Sequence, residues 1–289
     1  MKWLLLISCW GLTLGWGQDS LLAPAWRLGG LPQANQLIVD EEENLILLDT
    51  ERAGIYRYLA AYGYDSLLFM GGRSNRQEGL VHPIQMSLQN RQALYVLDDA
   101  TGRLLVLNPN LRIVQTQEYM NQRSGMDLGG AGGSLFPVAF AVGPLGEQFL
   151  INRSDNRVVK INAFGEEEIR FGGADYGPGA LYDPADIAID QDNFVYVADT
   201  SEQTIQVYDL YGVYRYRLSH DPGFRWQQFR LFRPWVIYFS GDRVAVMNLA
   251  SEAWLTQPFD WPPKIWDVFL RGDYLYVLSD QEIQAFALH

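Results

Sequence analysis

Between Tyr208 and Tyr238 the chain sets five arginines among a run of large aromatic side chains, with Asp209 and Asp221 as the only acids. Arginine and large aromatics dominate binding hot spots, because they bury much area on few rotors and the guanidinium fork matches a carboxylate or phosphate. Val213–Leu218 alternates faces as an outer strand would, which accounts for the first half of the cluster. The connection His220–Arg233 carries Phe224, Trp226, Phe229 and Phe232 that must be buried somewhere, and it supplies the expected binding anchors Arg225, Trp226, Arg230 and Arg233. Nucleophilic and metal chemistry has less material. Cys9 is the only cysteine and His82, His220 and His289 are the only histidines. The glycine-rich stretch Leu128–Ser134 lacks the Gly-Lys-Ser/Thr ending of a phosphate loop, and Pro137 follows where a helix should start, so it reads as a connection. Trp254, Trp261 and Trp266 could extend an aromatic platform for a sugar ring, although packing between strands accounts for them as well.

The elements that position these residues repeat. Asp40 to Asp49, Gln89 to Asp98, Gly143 to Asn152 and Asp190 to Asp199 are each nine residues apart, and an apolar residue stands six further on: Ile55, Leu104, Val158 and Ile205. Two more copies turn on Gly241-Asp242 and Gly272-Asp273, pairing Val236–Phe239 with Val244–Met247 and Val268–Leu270 with Tyr274–Leu278. Gly-Asp between apolar runs is tight-hairpin chemistry, since glycine takes a positive φ at no Cβ cost. The anchors Asp49, Asp98, Asn152, Asp199, Asn248 and Ser279 count six units. A proline precedes the first strand of most units (Pro83, Pro137, Pro184, Pro234, Pro263, and Pro32 more loosely), where a missing N–H is harmless. Short strand units that cannot bury their own faces must stack, so the expected fold is all-β, a six-bladed β-propeller. The last unit has three strands before the chain stops, and Leu21–Leu28 is the expected fourth, closing the ring from the N-terminus. The recurring Asp and Asn are expected to cap turns, because a site needs asymmetry.

Residues Phe171–Leu218 resemble the NHL-repeat family, in its exported bacterial type: FGG, G-x-x-x-x-P, then Ile187–Asp190, Tyr196–Thr200, Ile205–Asp209 and Gly212. Blade three keeps the family's Asn-Arg step at Asn156-Arg157, blade two has Gly102-Arg103 there, and blades one, five and six have drifted. The resemblance implies the propeller and leaves activity open, because that family spans ligand-binding modules, scaffolds and a few enzymes. Two readings follow. In the first the chain is a non-enzymatic binding or scaffold propeller with no cofactor, contacting a protein segment or a cell-envelope glycan through one loop face. In the second it is a metal-dependent lactonase or lyase with calcium near the axis. The histidine cluster of the lyases has no counterpart here, and Asp186 and Asp267, expected on innermost strands, are the pair to test for a shared cation.

The expected location rests on the first seventeen residues. Lys2 precedes the apolar run Trp3–Leu14, and Gly15 and Gly17 stand where a signal peptidase reads small residues, so cleavage is expected before Gln18. That makes 1–17 a signal peptide and 18–289 a single domain, periplasmic or extracellular. Leu6–Cys9 fits a lipobox, but the apolar run ahead of Cys9 is too short for one. The mature chain would then hold no cysteine, which excludes disulfides and thiolate sites. No later stretch reaches the ~20 apolar residues of a membrane span. A formal net charge of −12 repels nucleic acid and anionic lipid.

Overall fold

The computed structural model describes residues 22–71, 79–89, 93–119, 135–175, 177–254, 259–260 and 264–288. Residues 1–21 with Cys9, the Leu128–Ser134 stretch, Trp261, Pro263 and His289 lie outside them.

Six antiparallel sheets form six blades, and the chain runs from the inner to the outer strand of each in turn. The innermost strands are Gln36–Val39, Pro83–Gln89, Pro137–Val142, Pro184–Ile189, Gln228–Phe232 and Asp267–Arg271, in blades one to six. Each approaches the innermost strand of the blades beside it, which places all six around one axis. Pro83, Pro137 and Pro184 open their strands as expected. The second and third strands are covered on both faces and therefore read as nearly continuous apolar runs, such as the fully buried Leu45–Asp49. The core is divided accordingly. One cluster fills each gap between neighbouring blades, for example Phe149, Val158, Ile187, Val195 and Tyr208 between blades three and four.

Blade six closes as the sequence predicts. Leu22–Gly29 pairs antiparallel with the final strand Glu282–Leu288, in register from Leu22 opposite Leu288 to Gly29 opposite Glu282, with one irregularity between Pro24 and Trp26. Pro24 therefore sits on an outer edge, where its missing donor costs nothing.

Blade five departs from the expected register by one strand. Trp235–Ser240 and Arg243–Asn248 are its second and third strands, because Gln228–Phe232 forms the innermost one and Arg233-Pro234 makes the turn after it. Asn248 consequently ends a third strand, and Ser240 stands where blades one to four carry their Asp or Asn and blade six carries Ser279. The supposed long connection His220–Arg233 is in its second half the inner wall of the ring.

The anchor residues are structural. Asp98 accepts N–H bonds from Val81 (2.6 Å) and Thr101 (3.2 Å), and Asp199 from Tyr182 (2.6 Å) and Ser201 (3.1 Å), so each ties the incoming connection to the turn it caps. Asn152 does the same for the Phe136 N–H (2.8 Å).

Candidate functional site in the axial channel

An innermost strand has one edge without a strand partner, and its N–H and C=O groups must be satisfied some other way. Here they border a channel of about 750 Å³ lined by all six inner strands. One register position recurs around it: Gln36, Gln85, Ala139, Asp186, Gln228 and Asp267 each face the next-to-last anchor position of their second strand. Several of these side chains reach the backbone of the following blade. Asp267 accepts the Leu37 N–H (2.9 Å), and Gln36 accepts the Met86 N–H (2.8 Å) while donating to the Ile84 carbonyl (3.1 Å). Gln85 accepts the Phe140 N–H (2.7 Å). The belt runs from blade six through one and two to three, and Ala139 ends it.

On the other side of the ring the belt is ionic. Arg230 of blade five donates through Nη1 to Asp186 of blade four (2.8 Å) and through Nε to Asp267 of blade six (2.9 Å). Its Nη1 also reaches the Phe229 carbonyl (2.9 Å), and the guanidinium lies 5.6 Å from the Phe239 ring centroid. Burial pushes both carboxyls above the usual range, with Arg230 offsetting part of the rise. For Arg230 burial works against the charge, but the attraction of Asp267 and Asp186 outweighs it and the guanidinium stays protonated.

Three of the sequence-derived residues, from two rival readings, thus meet in one cluster. The other anchors do not join it. Trp226 is 1% exposed, packed between blades four and five against Tyr238, with no hydrogen-bond partner for its indole N–H among the described residues. Arg225 donates to the Thr200 carbonyl (3.1 Å) at the face where the inner strands begin. Arg233 lies beyond the far end of the same strand, about 17 Å away at strand rise, and contacts Asp190 (2.9 Å), Asp192 (2.6 Å) and the Tyr196 hydroxyl (2.9 Å). The described histidines lie outside the channel lining: His82 meets Asp99 (2.6 Å) and His220 meets the Tyr238 hydroxyl (3.2 Å). Trp254 packs near Tyr238, and Trp266 donates to Asp280 (2.6 Å). Sequence reading missed Gln36 and Gln85. The available signal was that Gln85 and Asp186 both stand two residues past a strand-opening proline.

Residues 181–208 match the model of the NHL repeat. The protein carries an NHL repeat. Solved structures share the fold of this NHL-repeat propeller at low identity. A gluconolactonase from Xanthomonas campestris superposes with a TM-score of 0.66 at 14% identity, covering 91% of this chain and 90% of that one. Virginiamycin B lyase from Staphylococcus aureus gives 0.58 at 10%, covering 88% and 80%. A luciferin-regenerating enzyme gives 0.58 at 13%, covering 90% and 92%. No curated protein sequence matches the chain.

Calcium takes six to eight oxygen ligands. Asp186 and Asp267 do not present such a set, because the guanidinium of Arg230 lies in contact with both. Among the described residues no group of three or more His, Cys, Asp or Glu side chains could hold a metal ion. What the cluster does supply is a cross-link between three blades at the axis. No helix among the described residues is long and apolar enough to cross a membrane.

Proposed function

We propose that this NHL-repeat propeller is an exported, non-enzymatic binding module that presents one loop face to a protein segment or a cell-envelope glycan. The observation that supports the reading is Arg230, whose ion pairs take up Asp186 and Asp267, the two carboxylates that the metal-dependent reading assigns to a cation. Gln36, Gln85, Asp186, Arg230 and Asp267 of the channel join neighbouring blades, which suits a rigid frame whose contacts lie on its loops. The alternative, a calcium-dependent lactonase or lyase, draws on the printed activities of the gluconolactonase and lyase that share the fold, and likeness at 10–14% identity carries the fold alone. The test follows thermal unfolding and the hydrolysis of a small lactone while calcium, manganese or zinc is added. The expected result is an unchanged midpoint and no turnover. A calcium-dependent rise of several degrees accompanied by lactone hydrolysis overturns the proposal.

A further inference from the structure

At the face where the inner strands begin, neighbouring connections are pinned by side-chain pairs of one kind. The residue at the strand entrance meets the residue that follows the anchor of the second strand. Thr50 donates to Asn35 (2.9 Å) in blade one, His82 meets Asp99 (2.6 Å) in blade two, Thr200 donates to Asp183 (2.7 Å) in blade four and Trp266 donates to Asp280 (2.6 Å) in blade six. Blade five has Gly241 at the second position and makes no such pair, and blade three breaks the pattern with two large side chains. Its two residues are Phe136 and Arg153, and they are joined only through the backbone, Arg153 N–H to the Phe136 carbonyl (3.0 Å). Phe136 is 45% exposed, and Arg153 is exposed with no partner for its guanidinium among the described residues. Two other arginines at this face are occupied: Arg157 pairs with Asp175 and Arg225 with the Thr200 carbonyl. The axial belt also lapses in this blade, at Ala139.

Between Phe136 and Arg153 runs a cleft of about 300 Å³ whose other walls are Asp99, Pro137, Val138 and Ser154. The Asp99 carboxylate is already engaged by His82. Tyr182, partly exposed, hangs from the same hairpin through its carbonyl, which accepts from Asn156 Nδ2 (2.7 Å). A planar cation beside an exposed ring and a proline is suited to a carboxylate carried next to an apolar group. In a chain of net charge −12 an unpaired guanidinium is also the local point of attraction for an anion.

We propose that this cleft is a recognition site for a carboxylate attached to an aromatic or bulky apolar group, as an acidic peptide segment would offer. The proposal rests on the binding-module reading and gives it a place and a ligand chemistry. The probe is N-acetylphenylalanine, with N-acetylphenylalanine amide as the uncharged control, titrated by NMR or calorimetry into the full chain and into Arg153→Gln and Phe136→Ala. The expected result is a dissociation constant on the order of millimolar for the acid, as suits so small a ligand. It should weaken at least tenfold in Arg153→Gln and severalfold in Phe136→Ala, and be absent for the amide. Both altered residues are exposed, and equal unfolding midpoints establish that the variants fold. Equal affinity for acid and amide, unchanged binding by Arg153→Gln, or no binding by the native chain overturns this site. None of those outcomes touches the binding-module reading, which falls instead to metal-dependent lactone turnover.

Discussion

Arg230 is the residue on which the middle of the molecule turns, because one guanidinium stands between two buried carboxylates from two other blades. Breaking a buried pair by removing one partner costs about 3–5 kcal/mol, whereas removing all partners together can be nearly neutral. Arg230→Met is therefore expected to lower stability at pH 7 by about 3–5 kcal/mol, and Asp186→Asn/Arg230→Gln/Asp267→Asn together by much less, as read from urea unfolding. The loss has a pH signature. Both carboxyls already sit above their unfolded value of about 3.9, so the folded protein binds more protons between the two values and stability falls as pH rises through that window. Without Arg230 the folded values rise further and the window widens upward. The deficit of Arg230→Met at pH 5 should be smaller than at pH 7, and a pH-independent deficit would show that the loss is one of packing rather than charge. Sequence reading identified all three residues and assigned them to competing sites, since strand alternation says which residues lie inward and not which inward residues touch. Trp226 misled for a similar reason: its residue type fits a hot spot equally well on a surface and in a gap between blades.

Among the short elements, one hairpin recurs. Asp40, Asn108, Asn162, Asp190 and Asp209 each accept N–H bonds from the residues two and four positions on, at 2.9–3.0 Å. The residue three positions on takes a positive φ: Glu43, Leu111, Gly165, Asn193 and Gly212. At Gly212 packing adds a second demand. Its φ is +75°, and a Cβ there would lie 2.6 Å from the Phe171 ring of the preceding blade. Gly212→Ala is expected to cost about 2–4 kcal/mol from strained backbone and overpacking together. Asp209→Ala loses two bonds at an exposed turn and the contact to Arg215 (2.6 Å), for about 1 kcal/mol. Thermal unfolding of the two variants should therefore rank them in that order, and the reverse ranking would mean that the cap and not the glycine shapes the turn. These turns were legible because Asx and Gly act locally. The inner strand of blade five was not, since QFRLF is five residues long, carries a charge at its centre and is followed by Pro234. A proline opens a second strand as readily as a first, so the landmark that located blades two, three and four shifted the reading of blade five by one strand.

At the scale of the ring, closure depends on strand Leu22–Gly29, which completes blade six from the opposite end of the chain. Trp26 of that strand stacks on Tyr64 of blade one (5.7 Å between centroids) and meets Tyr276 of blade six edge-on (5.7 Å), while Leu28 is buried between the same two blades. The strand therefore joins the last blade to the first as well as filling an edge. Burying a Trp and a Leu against two blades makes Trp26→Ala alone worth about 3–5 kcal/mol, and loss of the whole strand more, with the edge of Glu282–Leu288 left open. A chain starting after Gly29 should unfold at least ~10 °C lower, at roughly 2–4 °C per kcal/mol for a domain of this order of size. Missing contacts could lower the midpoint without any role for closure, and a permutation separates the two. Leu22 and Leu288 are cross-strand partners, so their Cα atoms are about 5 Å apart, and a four-residue linker spans them. Joining 288 to 22 and opening the chain in the turn after Gly173, between blades three and four, keeps every strand but moves the break to a gap that no returning strand bridges. If closure by strand exchange is what holds the ring, circular dichroism will show the permutant folded but less cooperative than the native chain. A midpoint and steepness equal to native would instead mean that contacts between blade faces suffice, and that the N-terminal strand contributes only its own buried area.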